Sequence, residues 1–248
     1  MVAVAEVALA GLATAAATGL GALPVGGVDS RAVAWRPLLL GAAAAAMTVV
    51  SVLGLLLPAL DDGSPGAVLA GLALGVLFLL GARTLLRRRG LHDVRLSTAG
   101  NRRAALVFLV LFVHSLPEGF AIGSAWASET EGLGLFVLVA IALQNIPEGT
   151  VTAIPLAVVG AGRVRQFWAA VGTSLPQPVG AVIAFLLVEE VDALLPVSFA
   201  FAAGAMLSLV LVDVAPDAWT AGSRGRASVG ALAGAALMVA CALWLDVS

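Results

Sequence analysis

Eight long apolar runs are the feature that most limits what this chain can fold into. A helix needs about 20 apolar residues to cross the hydrocarbon of a bilayer. Runs of that length lie at 2–25, 37–59, 66–86, 104–126, 132–156, 166–188, 194–215 and 228–246. Only 11% of the 248 residues are charged, less than half of the roughly 25% usual in soluble domains. The sequence therefore predicts an all-α integral membrane protein with eight transmembrane helices, spans 1–8.

The connections between the apolar runs are short, except for residues 87–103 between spans 3 and 4. We therefore expect residues 1–248 to form a single transmembrane domain with one longer loop. The first run starts at Val2 without a basic segment before it, so we expect a permanent span rather than a cleaved signal peptide. A single cysteine, Cys241, excludes an intramolecular disulfide and a CxxC motif.

The distribution of arginine predicts the orientation of the chain. All 13 basic residues are Arg, and all lie in or beside the loops that follow spans 1, 3, 5 and 7. The opposite loops hold acidic residues and no Arg: Asp61, Asp62, Glu129, Glu131, Glu189, Glu190 and Asp192. By the positive-inside rule the Arg-rich loops are cytoplasmic. We therefore expect both termini to be extracellular and the protein to lie in the plasma membrane.

Two Pro-Glu-Gly sequences place carboxylates inside apolar spans. HSLPEG (114–119) lies in span 4, and QNIPEG (144–149) lies in span 5. In each motif a polar residue stands four positions before the glutamate, so both side chains share one helix face. The proline removes a backbone hydrogen bond and predicts a bend at that depth. Because a charged side chain at mid-bilayer costs about 2.5–3.5 kcal/mol, we expect Glu118 and Glu148 to be functional.

Spans 4 and 5 are joined by a short loop and are expected to be antiparallel neighbours. Their motifs would then bring together His114, Glu118, Gln144 and Glu148. Imidazole and carboxylate ligands suit a divalent first-row metal, zinc above all, with iron, manganese and cobalt also compatible. Apart from Arg83 at the end of span 3, no Arg lies inside a span to pair with the acids. The alternative is that one glutamate is protonated and hydrogen-bonded to the other, which would leave the histidine without a role.

These motifs resemble the ZIP (Zrt/Irt-like) family of divalent metal transporters, particularly its prokaryotic GufA-like branch. HSLPEG is similar to the family's fourth-span motif H-[NS]-x-P-E-G, and QNIPEG to its fifth-span motif [HQ]-[ND]-x-P-E-G. The resemblance extends to spans 1, 2, 6 and 7, with GLATAAATGLGALPV, MTVVSVLGLLLPAL, TSLPQPVGA and AFAAGAMLSLVLVDVAPDA. It implies an inverted 3+2+3 repeat, in which the first and last three spans surround spans 4 and 5.

The resemblance also implies which side chains bind the metal. The primary ligands would be His114, Glu118, Gln144 and Glu148, with a thioether from Met47 in span 2. Asp213, near the end of span 7, is a weaker candidate on the metal pathway.

This chain departs from the family at a second metal position that many members have beside the first. Here the corresponding residues are Ser115, Asn145 and Gln177, which are neutral where acidic ligands are common. Because fewer anionic ligands attract a dication less strongly, we expect one occupied site and a second position that is weak or empty. Gln177 would then hydrogen-bond a site carboxylate or water.

The loop at 87–103 contains His92 and Asp93 among many Arg residues. We expect this loop to anchor the topology and contact anionic lipid rather than to capture metal.

The implied function is inward transport of a divalent metal, zinc first and Cd, Fe, Mn or Co as further cargo, by alternating access. No prosthetic group and no nucleic-acid partner are expected, and family members are often homodimers. A metal-binding sensor or transport-incompetent regulator is the alternative. An intramembrane metallohydrolase is less favoured, because HExxH is absent and both acids would be ligands. We therefore expect the protein not to be an enzyme.

Overall fold

The computed structural model describes residues 2–25, 30–88, 99–220 and 223–245. Within these ranges, eight helical spans are long and apolar enough to cross a membrane. They are Ala3–Val25, Ala34–Asp62, Pro65–Leu85, Phe108–Ala127, Leu133–Val158, Arg163–Glu190, Asp192–Ala218 and Arg224–Trp244. The predicted all-α membrane fold is confirmed, and the span ends differ from the predicted ones by a few residues.

Five spans are each built on one continuous α-helix. These helices are Val2–Ala22 (closed by the 3-10 turn Leu23–Val25), Pro65–Arg88, Ala99–Ala127, Leu133–Val158 and Arg224–Trp244. Spans 4 and 5 stay helical through the motif prolines Pro117 and Pro147.

The connection between spans 3 and 4 is shorter than the predicted loop at 87–103. The helix of span 3 continues to Arg88, and that of span 4 already begins at Ala99. The two helices extend beyond the apolar runs because no proline interrupts the flanking polar residues. Residues 89–98, with His92 and Asp93, lie outside the described residues.

Spans 2, 6 and 7 are interrupted, and a proline closely follows each interruption. Span 2 comprises Ser30–Val49, the π-helical segment Val50–Leu56 and Leu57–Asp62. Span 7 comprises the 3-10 turn Asp192–Leu194, Leu195–Leu209, the π-helical segment Val210–Val214 and Ala215–Ala218. Span 6 is divided into Arg163–Thr173 and Pro176–Glu190. Pro58, Pro176 and Pro216 lack an N–H, so regular helical bonding fails in the preceding turn. In span 6 this places Gln177 at the start of the second helix.

Extensive packing joins four pairs of spans, 1 with 5, 4 with 6, 2 with 8, and 3 with 7, and span 1 also packs extensively against both helices of span 6. In every pair, a glycine of one helix lies against the backbone of the other. A Cβ added at Gly149, Gly119, Gly41 or Gly75 would lie only 1.8–2.3 Å from a carbonyl oxygen of the partner helix. Small residues allow this close approach, which is a main source of helix association in lipid.

The pairing divides the described spans into two groups, spans 1, 4, 5 and 6 and spans 2, 3, 7 and 8. Contacts of span 4 with span 7, and of span 2 with span 5, join the groups. Exchanging span 1 with span 6, 2 with 7, 3 with 8 and 4 with 5 converts each of the four pairs (1 with 5, 4 with 6, 2 with 8, and 3 with 7) into another of them. The π-helical segments of spans 2 and 7 are exchanged in the same way, as expected for the inverted 3+2+3 repeat.

Candidate metal centre

His114 and Glu118 form the part of the centre that span 4 supplies. Their separation of four residues puts both side chains on one helix face, and both are fully buried. The distance from His114 Nε2 to Glu118 Oε1 is 3.3 Å. The local sequence thus positions an imidazole and a carboxylate side by side.

Gln144 and Glu148 form the part that span 5 supplies. Glu148 Oε1 lies 4.0 Å from His114 Nε2, and Gln144 donates from Nε2 to Glu118 Oε1 at 2.7 Å. Ligand atoms of His114, Glu118 and Glu148 all lie within 4.8 Å of one another. The structure therefore brings together the four side chains of the two Pro-Glu-Gly motifs.

Several donor atoms in this cluster are buried and unsatisfied. Among the described residues, His114 Nδ1 and Nε2, Gln144 Oε1 and Glu148 Oε1 have no hydrogen-bond partner. Neither carboxylate is paired with an Arg among these residues. An unsatisfied buried polar group costs about 1–3 kcal/mol, and two adjacent carboxylates repel each other unless a cation intervenes. A divalent cation would be bound by one imidazole nitrogen and by these oxygens and would balance the charge, so this set of side chains fits a metal.

Met47 reaches the same part of the molecule from span 2. It is buried, with 1% of its surface exposed. Together with Glu148, it lines a cavity of about 500 Å³ that is also bounded by residues of spans 4 and 7. Met47 and Glu148 therefore border the same cavity.

The same cavity is lined by Asp213, Asp217 and Thr220 at the far end of span 7. Asp213 accepts an ion-pair contact from Arg83 Nη2 at 2.9 Å, and Asp217 is paired with Arg36. Asp213 therefore lines the cavity but does not belong to the buried cluster of His114, Glu118 and Glu148.

The three neutral residues at the second position have different surroundings. Ser115 donates to the carbonyl of Leu111 in its own helix. Gln177 donates from Nε2 to Glu118 Oε2 at 2.6 Å, as expected for a hydrogen bond to a site carboxylate. Asn145 donates from Nδ2 to Gln177 Oε1 at 3.2 Å. Asn145 and Gln177 thus contact the centre through Glu118, and Ser115 bonds to its own helix.

Thr14 is a residue of this centre that the sequence motifs did not identify. It lies in span 1, is fully buried, and its Oγ1 is 2.7 Å from Gln177 Oε1. The sequence contains a feature that could have identified it: Thr14 and Thr18 are polar, lie four positions apart in an apolar run and therefore share one helix face. Thr18 contacts Ser174 of span 6 through its hydroxyl at 2.7 Å. The polar face of span 1 is therefore turned towards span 6 beside the centre.

Comparison with known proteins identifies the family that shares these features. Residues 85–242, which include both Pro-Glu-Gly motifs, match the family described as ZIP Zinc transporter. Zinc transporter ZIPB of Bordetella bronchiseptica is 36% identical over 243 residues, covering 93% of this chain and 78% of that protein. Zinc transporter GufA of Myxococcus xanthus is 34% identical over 192 residues, covering 75% of this chain and 74% of that protein.

A longer relative shows the same similarity. A putative zinc transporter of Arabidopsis thaliana is 35% identical over 241 residues, covering 96% of this chain. The chain spans only 39% of the length of that relative. The family match over residues 85–242 and the identities over most of the chain agree with the motifs and with the eight spans. The chain belongs to the ZIP family.

Proposed function

We propose that this protein transports divalent metal ions, zinc first, across the plasma membrane into the cytoplasm. The observation that carries the proposal is the buried cluster of His114, Glu118, Gln144 and Glu148. Among the described residues, atoms of His114, Gln144 and Glu148 in this cluster have no hydrogen-bond partner. The relatives with similar sequences are named as zinc transporters, which supports the same metal.

The proposed ligands supply nitrogen, oxygen and sulfur donors. His114 contributes an imidazole nitrogen, Glu118 and Glu148 contribute carboxylate oxygens, and Gln144 contributes its free amide oxygen, with Met47 as a softer donor. Imidazole and carboxylate suit zinc, and a thioether favours softer ions. This donor set would accept cadmium readily, and iron, manganese and cobalt are the other candidate ions. With neutral residues at the second position, we propose that one ion is bound at a time.

The cavity supports a route from this centre to the cytoplasm. It is lined by Glu148 of the centre and also by Asp217 and Thr220. Thr220 precedes the loop that leads to Arg224 and Arg226 at the start of span 8. By the positive-inside rule that loop is cytoplasmic. A membrane potential that is negative inside would favour entry of a doubly charged ion by roughly 4.6 kcal/mol per 100 mV. We propose that Asp213 lies on this exit route.

Alternating access fits the grouping of the spans. The proposed ligands lie mainly on spans 4 and 5, which pack with spans 6 and 1 in one group, whereas Met47 and Asp213 belong to the other group. Movement of one group against the other would expose the centre to each side in turn.

A metal sensor that binds without translocation is the alternative, since the same buried ligands would serve both purposes. Membership of a family described as zinc transporters favours transport. The absence of an HExxH sequence and the use of both acids as ligands argue against an intramembrane metallohydrolase. A homodimer and contacts of the 87–103 loop with anionic lipid remain expectations from the sequence.

Uptake into proteoliposomes tests the proposed transport. The purified full chain is reconstituted around a zinc-responsive dye, and zinc is then added outside. We expect saturable zinc entry that protein-free liposomes do not show, with cadmium competing more strongly than manganese because of the soft thioether. Zinc binding without flux would contradict transport and favour the sensor.

Cysteine labelling tests the proposed orientation. In a Cys241→Ser background, Thr130→Cys lies in the loop after span 4 and Gly162→Cys in the loop after span 5, and both positions are exposed. We expect a membrane-impermeant maleimide to label Thr130→Cys on intact cells and Gly162→Cys only after permeabilisation, since Arg163 and Arg165 flank the latter. The opposite pattern would show that the termini are cytoplasmic.

A further inference from the structure

A chain of amide hydrogen bonds beside the metal centre begins at a backbone carbonyl of span 1. Asn145 donates from Nδ2 to the carbonyl oxygen of Thr14 at 2.9 Å and to Gln177 Oε1 at 3.2 Å. Gln177 in turn donates from Nε2 to Glu118 Oε2 at 2.6 Å. The chain therefore connects spans 1, 5, 6 and 4, all of the group that carries the proposed ligands.

The direction of this chain is determined by its first member. An Asn or Gln side chain can present either its oxygen or its NH2 group to a neighbour, but a backbone carbonyl can only accept. The Thr14 carbonyl therefore requires the NH2 group of Asn145. The second N–H of that group requires the oxygen of Gln177, which leaves the NH2 group of Gln177 facing Glu118. If either amide were rotated by 180°, two hydrogen-bond acceptors or two hydrogen-bond donors would face each other.

The oxygen of Gln177 has two hydrogen-bond donors within reach. It accepts from Asn145, and the Thr14 hydroxyl lies 2.7 Å away. A carbonyl oxygen has two lone pairs, so a metal bound through this atom would compete with one of these two contacts. The Thr14 hydroxyl is the weaker contact, because its single proton also has the Gly11 carbonyl within 2.8 Å.

We propose that Asn145 and Gln177 are positioning residues of the metal centre rather than ligands of a second metal. This inference rests on the proposed function. Gln177 fixes one oxygen of Glu118, Oε2, so that the other oxygen, Oε1, faces His114 at 3.3 Å. Asn145 fixes the orientation of Gln177. Outer hydrogen-bond partners of this kind orient metal ligands, and their loss typically weakens metal affinity about 10–100-fold.

Gln177→Met tests the inference because it keeps the length of the side chain and removes both of its hydrogen-bonding groups. With the purified full chain in detergent, the Kd and stoichiometry for zinc and the visible spectrum of bound Co²⁺ are measured. We expect one ion in wild type and variant, a Kd weakened about 10–100-fold, and a shifted Co²⁺ spectrum. A loss of fold stability alone would change neither the spectrum nor the stoichiometry of the folded fraction.

Gln166→Met is the matched control. Gln166 is also a buried amide of span 6, but it donates to the Ala161 carbonyl at 2.7 Å, away from the centre. We expect its zinc Kd and Co²⁺ spectrum to equal those of the wild type. Asn145→Leu removes the orienting donors and leaves Gln177 in place. Asn145→Leu should weaken zinc binding about tenfold, the lower end of the range expected for Gln177→Met. If Gln177→Met does not fold, the zinc Kd of Asn145→Leu tests the inference in its place.

Three results would overturn the inference. A zinc Kd within twofold of the wild type in both variants, with an unchanged Co²⁺ spectrum, would show that the amides do not position Glu118. Two ions in the wild type and one in Gln177→Met would make Gln177 a ligand. No metal binding by the wild type would remove the proposed metal site itself, and that result is separate from the first two.

Discussion

Zinc uptake is expected to fall by at least about 100-fold when Glu148 is replaced by Gln. Loss of a residue that only hydrogen-bonds a metal ligand typically costs about 10–100-fold, and loss of a ligand itself should cost more. The substitution keeps the size of a buried side chain but removes one of the two carboxylates in the cluster. The remaining centre would attract a dication much less strongly, since an anionic ligand is lost. Initial rates of dye-reported entry into proteoliposomes measure the effect.

Glu189→Gln is the matched control for this prediction. Glu189 is exposed near the end of span 6, so its replacement makes the same chemical change away from the centre. Uptake by Glu189→Gln should match that of the wild type. If Glu148→Gln retained most of the wild-type uptake, the cluster of His114, Glu118 and Glu148 would not be the transport site.

Gly149→Ala is expected to destabilise the protein strongly. A Cβ at this position would lie 1.8 Å from the Thr18 carbonyl oxygen and 2.8 Å from its carbon. Both atoms are backbone, so spans 1 and 5 would have to separate. Such overpacking typically costs about 1–3 kcal/mol, which lowers the Tm of a chain of this size by roughly 2–4 °C per kcal/mol. Thermal unfolding in detergent measures the change.

The separation should also reduce zinc uptake, because Gly149 adjoins Glu148 and any shift of span 5 moves that carboxylate. Gly81→Ala is the control, since nothing lies within 4 Å of the Cβ that it would add. In a helix, alanine is more favourable than glycine by about 1 kcal/mol, so Gly81→Ala should not lower the Tm. An unchanged Tm in Gly149→Ala would show that the close contact of spans 1 and 5 contributes little to stability.

The carboxylates on the proposed exit route differ from those of the centre in their charge balance, because Asp213 is paired with Arg83 and Asp217 with Arg36. Each carboxylate already has a cationic partner, whereas Glu118 and Glu148 have no Arg partner among the described residues. An ion leaving the centre would meet carboxylates that are already neutralised. Weak retention along the route would favour release of the metal.

The sequence alone was sufficient to predict the number and order of the spans and to single out the side chains that meet in the cluster. Both predictions depend on short-range rules. The length of an apolar run determines whether a helix can cross a bilayer, and a spacing of four residues determines which side chains share a helix face. His114 with Glu118 and Gln144 with Glu148 follow these rules, and a short loop between their helices accounts for their proximity.

Tertiary structure alone decided which helices pair and how the amides beside the centre are oriented. A membrane helix can be apolar on every face, so its hydrophobic pattern does not reveal its partner. The partner depends on whether small residues such as Gly149 fit against the backbone of another helix. Likewise, the role of Gln177 depends on Thr14 and Asn145, which are 163 and 32 residues away from it in sequence. Only packing brings a backbone carbonyl of span 1 next to Asn145, and that contact determines which end of the Gln177 amide faces Glu118.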